Sequence, residues 1–172
     1  VIAALALLKA RGMAFEYVLI GDGEDKAEIL QAIREHGLEQ EISLLGTVAH
    51  DQVLEVFKRA HLFVLGCRIA DNGDRDGIPN VIAEAMAMGV PVVATNVSGI
   101  PELLEQDATG LTVESHDPEA LAKAMERLLT DQDLRARIIP KARAKVEQVF
   151  DNKALIRDLA QVYRDEGLGP RE

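Results

Sequence analysis

Short apolar runs alternate along the chain with segments in which apolar residues recur every three or four positions. The runs have the length of β-strands and lie at 15–20, 42–45, 62–65, 91–94 and 110–113. The segments with helical spacing lie at 2–10, near 25–36, at 51–59, near 79–88 and from about 101. Almost wholly apolar strands that alternate with helices predict a parallel sheet covered on both faces, in a doubly wound, Rossmann-like α/β fold.

The C-terminal part of the chain is predicted to be helical. From about Pro118 the pattern indicates three helices, with breaks near Thr130 and Asp151 and the last helix at 151–166. The 172 residues have the length of a single domain. Since 48% of them are hydrophobic and only 3% aromatic, the core of that domain must be aliphatic.

Composition argues against several partners and locations. A net charge of −10 argues against nucleic acid or an anionic membrane as the main partner, because both repel an acidic surface. The single cysteine, Cys67, excludes an internal disulfide and fits a reducing compartment. For this cysteine a buried thiol is favoured over a nucleophile, since no nearby base is indicated. No apolar run reaches the ~18 residues that indicate a membrane span, so we expect a cytoplasmic protein.

The stretch DGIPNVIAEAMAMGVPVVAT, from Asp76 to Thr95, predicts a helix between a polar loop and a strand. Pro79 suits the first turn of that helix, where its missing N–H group costs nothing. Gly89 suits the position just after the helix end, and Pro91 helps the exit into the strand. The helix is therefore expected to begin and end inside this stretch.

The start of this helix is the strongest candidate for a binding pocket. It leaves the backbone N–H groups of about Asn80, Val81 and Ile82 without partners in the helix. Such groups, together with the helix dipole, form a natural pocket for phosphate oxygens. Gly77 allows a close backbone approach to whatever occupies that pocket.

Two acidic residues flank the predicted pocket, Asp76 in the loop and Glu84 one turn into the helix. The pattern leaves two interpretations of Glu84 open: a functional carboxylate, or an exposed carboxylate stabilised by the helix N-terminus. Asp76 lies in a loop rich in aspartates, and there the pattern favours a solvated loop acid.

Other polar and glycine positions give weaker signals. Gly21-Asp22-Gly23 lacks the third glycine of a dinucleotide fingerprint and the Gly-Lys-Ser/Thr of a P-loop, so a tight turn is favoured. Ser98-Gly99 fits either a turn or a place where the backbone approaches a ligand. His50 or Asp51 is expected to cap the helix at 51–59. The four histidines lack the spacing that a zinc site requires.

Taken in order along the chain, these motifs resemble one enzyme family. The resemblance rests on Gly21-Asp22-Gly23, Leu45-Gly46-x-Val48, the stretch from Asp76 to Thr95, and Ser98-Gly99-Ile100-Pro101-Glu102. These motifs are similar to the C-terminal half of the family-four retaining glycosyltransferases, GT-B enzymes with two Rossmann-like domains and the active site between them. We then expect a single nucleotide-sugar-binding domain over 1–172 that lacks its first strand and the N-terminal acceptor domain. A chain that begins inside a helical pattern, without Met, fits such a fragment.

The resemblance also implies roles for single residues. In the family two acids form an E-x7-E motif, so Asp76 would approach hydroxyls of the donor sugar and Glu84 would hydrogen-bond the ribose. The segment expected to hold the diphosphate and sugar comprises Gly77, Ile78, Pro79, Asn80 and Val81. Residues with a weaker expected role in nucleotide binding are Gly21, Gly23, Val48, His50, Ser98 and Gly99. Asp76 replaces the more common Glu, so its contact must come from a closer loop or through water.

The implied reaction is retaining glycosyl transfer from a UDP-sugar or GDP-sugar to a glycan, lipid or other acceptor, and no metal ion is expected. Asp-Gly-Ile-Pro-Asn is similar to a bacterial exopolysaccharide subgroup of colanic-acid-like and amylovoran-like enzymes. Gly66-Cys67 departs from the Pro-Ser that is frequent in the family. The family's Arg and Lys that neutralise the departing diphosphate lie before the helix that opens this chain, so we expect the isolated chain to be inactive.

Two other functions stay open. A sugar-nucleotide epimerase shares the GT-B layout, although the run Glu-Ala-Met-Ala-x-Gly-x-Pro-Val-Val favours the transferase. A non-catalytic GT-B-like domain that binds another protein is the second, and Asp76 in place of Glu keeps it open. The expected partners of the full-length protein are a nucleotide sugar and its own acceptor domain, with peripheral association at the inner face of the cell membrane as an open alternative.

Overall fold

Helices and strands alternate in the computed structural model, which describes residues 1–68 and 77–150. The strands in these ranges are β1 (Tyr17–Ile20), β2 (Ile42–Gly46), β3 (Phe63–Leu65), β4 (Val92–Thr95) and β5 (Leu111–Val113). The helices are α1 (Ile2–Ala10), α2 (Lys26–Glu35), α3 (His50–Phe57), α4 (Asn80–Ala87), α5 (Ile100–Leu103), α6 (Pro118–Thr130) and α7 (Gln132–Val149). The helix predicted at 151–166 lies outside the described residues.

All the described strands pair in parallel, as predicted, but they pair in two groups. β1 pairs with β2, with Tyr17 opposite Ile42. β4 pairs with β3 on one side and with β5 on the other, and Val93 lies opposite both Val64 and Leu111. The prediction of a parallel α/β domain is therefore confirmed, while the described strands form two sheets rather than one continuous sheet.

One apolar core extends under both sheets. It contains side chains from α1 and α6, among them Leu5, Leu8 and Leu128, and it reaches Ile42 of β2 and Val64 of β3. A second apolar cluster lies between α4, α5 and β4. Because the first cluster touches both strand groups, the two sheets belong to one folded unit.

β2 is less covered than its apolar run predicts. Leu44 is 42% exposed and Leu45 is 47% exposed, although their side chains point to opposite faces of the strand. The expectation of a sheet covered on both faces is thus wrong at this strand. An uninterrupted apolar run does not distinguish a central strand from one at the edge of a sheet.

The limits of α4 follow from its sequence. Gly89 has a positive φ of 75°, and the N–H group of Val90 donates to the Ala85 carbonyl at 2.9 Å. This is the Schellman arrangement expected when glycine follows a helix. The chain then turns directly into β4, so that the start of α4 and the end of β4 both lie at the carboxyl edge of the sheet.

A single aspartate separates the last two described helices. Asp131 ends α6, and its carboxylate accepts a hydrogen bond from the Leu134 N–H group at 2.8 Å, which caps α7. The predicted break near Thr130 is confirmed. Within 1–68 and 77–150, no helix combines the length and the apolar character that a membrane crossing requires.

Candidate functional site

The loops that follow β3 and β4 are held together at the carboxyl edge of the sheet. Thr95, buried at the end of β4, donates its hydroxyl to the Cys67 carbonyl at 2.7 Å. A Cβ atom added at Gly99 would lie 2.6 Å from Cγ1 of Ile78 and 3.5 Å from the carbonyl carbon of Gly77. The structure therefore brings the predicted Gly77-Ile78 and Ser98-Gly99 positions into direct contact.

The turn at Ser98 has an unusual backbone. Ser98 has a φ of 52°, in the left-handed region that non-glycine residues adopt rarely. The turn is fixed on both sides, since the Val97 N–H group donates to Thr95 at 3.0 Å and the Ile100 N–H group donates to Val97 at 3.2 Å. A strained, hydrogen-bonded turn at this edge places an exposed hydroxyl beside the start of α4.

The start of α4 carries fewer unpaired amides than predicted. The Ile82 N–H group donates to the Pro79 carbonyl at 3.0 Å, so the prediction that this amide is unpaired is wrong. This bond forms because the first turn tightens to a three-residue spacing. In the described ranges the N–H groups of Asn80 and Val81 have no acceptor. Two amides at a helix N-terminus are therefore available to anionic oxygens.

Glu84 has a partner on another helix. Its Oε1 atom lies 3.4 Å from Nε2 of His50, and its side chain is 34% exposed. The predicted capping role of His50 or Asp51 is wrong, because Ala49 occupies the cap position and its N–H group donates to Oε1 of Gln52 at 3.2 Å. His50 is instead the first residue of α3, where its imidazole faces the carboxylate of α4.

The predicted tight turn after β1 is tied to β2. The Gly21 N–H group donates to the Gly46 carbonyl at 2.9 Å, and both glycines have positive φ angles. Asp22 accepts hydrogen bonds from Nζ of Lys26 at 2.9 Å and from the Gly23 N–H group at 3.0 Å. The bond from Lys26, followed by that from Gly23, lowers the pKa of Asp22.

A second side-chain pair at this edge was not foreseen from the sequence. Nη2 of Arg68, just after β3, lies 3.3 Å from Oδ2 of Asp25, just before α2. The two residues are 43 positions apart, and no local spacing could have linked them. Like His50–Glu84, this pair joins a residue that follows a strand of the β1–β2 sheet to one that follows β3. We call His50–Glu84 and Arg68–Asp25 the bridging pairs.

The remaining predicted positions divide by whether the structure describes them. Val48 is half-buried in the connection between β2 and α3. Asp76 lies outside the described residues, so its position relative to Glu84 stays a prediction. Among the residues that the structure does describe, no three His, Cys, Asp or Glu side chains gather in a way that could hold a metal ion.

The arrangement at this edge suits a ligand with both phosphates and hydroxyl groups. The free amides of Asn80 and Val81 can donate to phosphate oxygens, and the half-exposed carboxylate of Glu84 can accept hydrogen bonds from hydroxyls. Gly77 leaves the backbone open where such a ligand would lie, because a Cβ atom added there would meet no atom of the described residues within 4 Å. This chemistry is independent of any resemblance.

Comparison with known proteins identifies the family. The model of the family described as "Glycosyl transferases group 1" matches residues 1–145. The amylovoran biosynthesis glycosyltransferase AmsK of Erwinia amylovora is 37% identical over 161 residues, which cover 94% of this chain and 40% of that protein. The alpha-D-kanosaminyltransferase of Streptomyces kanamyceticus is 32% identical over 167 residues, which cover 97% of this chain and 42% of that protein.

Solved structures agree with this match. The crystal structure of Anabaena Alr3699/HepE in complex with UDP superposes with a TM-score of 0.81 at 27% identity, covering 95% of this chain and 44% of that chain. Its complex with UDP-glucose gives a TM-score of 0.79. The chain spans about two fifths of the length of the curated relatives named above. With the family model matched over most of its length, the chain belongs to the group 1 glycosyltransferases and has the Rossmann-like α/β fold of a GT-B domain.

Proposed function

We propose that this domain binds the nucleotide-diphosphate-sugar donor of a longer enzyme that transfers a sugar to an acceptor with retention of configuration. The proposal rests on the contact of Gly99 with Gly77 and Ile78. These two residues lie directly before the start of α4, where two backbone amides are free. The Alr3699/HepE structures are complexes of that protein with UDP and with UDP-glucose. UDP is therefore the first nucleotide to test here, and GDP the second.

The proposed roles follow the chemistry of each group. The amides of Asn80 and Val81 hold the diphosphate, and the Glu84 carboxylate accepts hydrogen bonds from the ribose hydroxyls. Asp76 is assigned to the donor sugar. The positions proposed to act on the nucleotide more weakly, either by contact with it or through a residue that contacts it, are Gly21, Gly23, Val48, His50, Ser98 and Gly99. The departing diphosphate gains negative charge that two amides alone stabilise poorly, so the isolated chain is expected to be inactive.

Gly77→Ala separates ligand binding from folding. A Cβ atom at Gly77 would meet no atom of residues 1–68 and 77–150 within 4 Å, and its φ lies outside the left-handed region, so the variant should fold. We expect its free energy of unfolding to be unchanged or raised by up to about 1 kcal/mol. A bound diphosphate would meet the new methyl group, so affinity for UDP should fall about tenfold or more.

The measurement is an NMR titration of this chain with UDP and GDP up to millimolar concentration. Shifts should concentrate at 77–84 and 98–99, and they should be weakened in Gly77→Ala and in Glu84→Ala. Glu147→Ala is the matched control, because Glu147 also lies on a helix and pairs with a basic side chain, Arg143, at 3.2 Å. Absence of shifts in the unmodified chain, or full binding by Gly77→Ala, would contradict the proposal.

We also propose a further parallel strand, formed by residues before Val1 in a longer protein. This strand would lie between β1 and β3, which are not paired with each other, and would pair with both. All four residues of β1 are only half-buried although they are largely apolar. A Cβ atom at Gly66, after β3, would lie 2.9 Å from Cγ2 of Val1, so α1 begins where β3 ends. A strand leading into α1 would therefore end beside β3 and run parallel to it.

Hydrogen exchange tests this strand. The Tyr17 N–H group donates to Glu41 beside β2, at 2.8 Å, so the next amide, that of Val18, points away from β2. In this chain the Val18 amide should exchange at least about tenfold faster than that of Leu19, which points toward β2. In a chain extended upstream of Val1 the difference should vanish. Equal protection of both amides in the present chain would refute an open edge.

A further inference from the structure

The contact between His50 and Glu84 gives His50 a role that the family resemblance does not. His50 opens α3 and Glu84 lies in α4, and their Nε2 and Oε1 atoms are 3.4 Å apart. In the described ranges, no other basic side chain lies within 4 Å of the Glu84 carboxylate. We infer that His50 is a positioning residue: its imidazole orients the Glu84 carboxylate so that the second oxygen faces the ribose hydroxyls of the donor. This inference rests on the proposed function of the site.

The physical need for such a partner lies in the freedom of the glutamate side chain. A half-exposed glutamate can adopt several rotamers, and holding only one of them costs conformational entropy. A hydrogen-bond donor on a separate helix, here the His50 imidazole on α3, reduces that entropy cost before the ligand binds. The imidazole can serve whether it is charged or neutral, provided that Nε2 carries a proton.

The two side chains need only a small adjustment to form a hydrogen bond. A distance of 3.4 Å is somewhat longer than the ~2.9 Å of a well-formed N–H···O hydrogen bond. A small rotation of either side chain would close the difference. With one oxygen held by His50, Glu84 keeps the other for the ligand.

An alternative role for His50 is direct contact with the nucleotide base, and the two roles predict different results. A positioning residue acts through Glu84, so its removal should have no effect once Glu84 is gone. A base contact is independent of Glu84, so the two losses should add. If His50 contacted the base, its removal would weaken UDP and GDP binding to different extents. If His50 acts through the ribose contact of Glu84, its removal should weaken the binding of both nucleotides equally.

A double-mutant cycle measures this coupling. UDP dissociation constants would be determined by NMR for the unmodified chain, His50→Ala, Glu84→Ala and the double variant. We expect His50→Ala to weaken UDP binding about three- to tenfold, and to change it less than about twofold in the Glu84→Ala background. His50→Gln should restore most of the affinity, because its amide nitrogen can occupy the position of Nε2.

Controls separate positioning from folding and from the proposed function. His36→Ala, at an exposed helix end, should bind UDP as the unmodified chain does, and urea denaturation should show that His50→Ala folds normally. UDP binding that survives His50→Ala unchanged, additive losses in the cycle, or no rescue by glutamine would each overturn the inference while leaving the donor site intact. No UDP binding by the unmodified chain would overturn the proposed function and this inference together.

Discussion

Gly99→Ala tests the contact on which the candidate site depends. The new Cβ atom would lie 2.6 Å from Cγ1 of Ile78, whereas ordinary contact begins at 3.4 Å, so Ile78 must retreat by about 0.8 Å. The backbone of Gly99 has a φ of −83°, which alanine adopts without strain. The whole penalty is therefore steric and falls on the segment that leads into α4.

The size of the effect follows from two opposing terms. Overpacking of this kind costs about 1–3 kcal/mol, because Cγ1 is near the backbone and cannot swing away freely. Replacing glycine by alanine also lowers the conformational entropy of the unfolded chain, which offsets up to about 1 kcal/mol of this loss. We expect a net loss of about 1–2 kcal/mol in the free energy of unfolding. UDP binding should fall as well, since a displaced Ile78 carries Pro79 and the free amide of Asn80 with it.

Ile78→Ala provides the compensating change. It removes Cγ1, and the nearest remaining atom to the new methyl group is then the Gly77 carbonyl carbon at 3.5 Å, an ordinary contact. Urea denaturation should show that Gly99→Ala costs about 1 kcal/mol less in the Ile78→Ala background than alone. If the two losses simply add, or if Gly99→Ala is as stable as the unmodified chain and binds UDP normally, the contact is not as described.

Two further predictions concern stability alone. Thr109 is 5% exposed, and its hydroxyl donates to the Leu103 carbonyl and accepts from the Glu105 N–H group, so Thr109→Val should lower the free energy of unfolding by about 2–3 kcal/mol. Urea denaturation measures this loss, and Thr130→Val, at an exposed helix end, is the control that should change it by less than about 1 kcal/mol. Tyr17 is half-buried as a whole, but burial of its hydroxyl raises the pKa to about 12, so the folded state keeps a proton that the unfolded state loses above pH 10. Urea denaturation should show a stability contribution present below pH 10 and about 2 kcal/mol smaller at pH 11.5, and Tyr17→Phe should remove this decline. An equal decline in Tyr17→Phe would assign it to other groups.

The elements of this fold could be predicted because local signals mark their ends. Gly89 takes the left-handed conformation that ends α4, and Asp131 both ends α6 and caps α7. The apolar residues of β4, Val92, Val93 and Ala94, are all buried, as their run predicts. Each of these signals acts within a few residues of chain, and a single sequence contains all the information that it needs.

The side-chain pairs of the site could not be predicted in the same way. His50–Glu84 and Arg68–Asp25 form between residues on different connections, and they depend on how neighbouring helices and loops pack at the edge of the sheet. The exposure of Leu44 and Leu45 likewise depends on what covers β2, which an apolar run does not specify. The sequence pattern therefore located the loops of the site but not the contacts between them.

The two bridging pairs connect the geometry of the site to the distance between the two sheets, whose strands β1 and β3 are not paired with each other. Each bridging pair has one residue beyond the β1–β2 sheet and one beyond β3, so the separation of the sheets sets the distance between its two side chains. Exposed side-chain pairs of this kind contribute at most about 1 kcal/mol, so the shared apolar core, rather than these pairs, holds the two sheets together. A strand paired to both β1 and β3 would fix that distance through backbone hydrogen bonds. A longer chain that contains this strand should therefore bind UDP more tightly than the present chain.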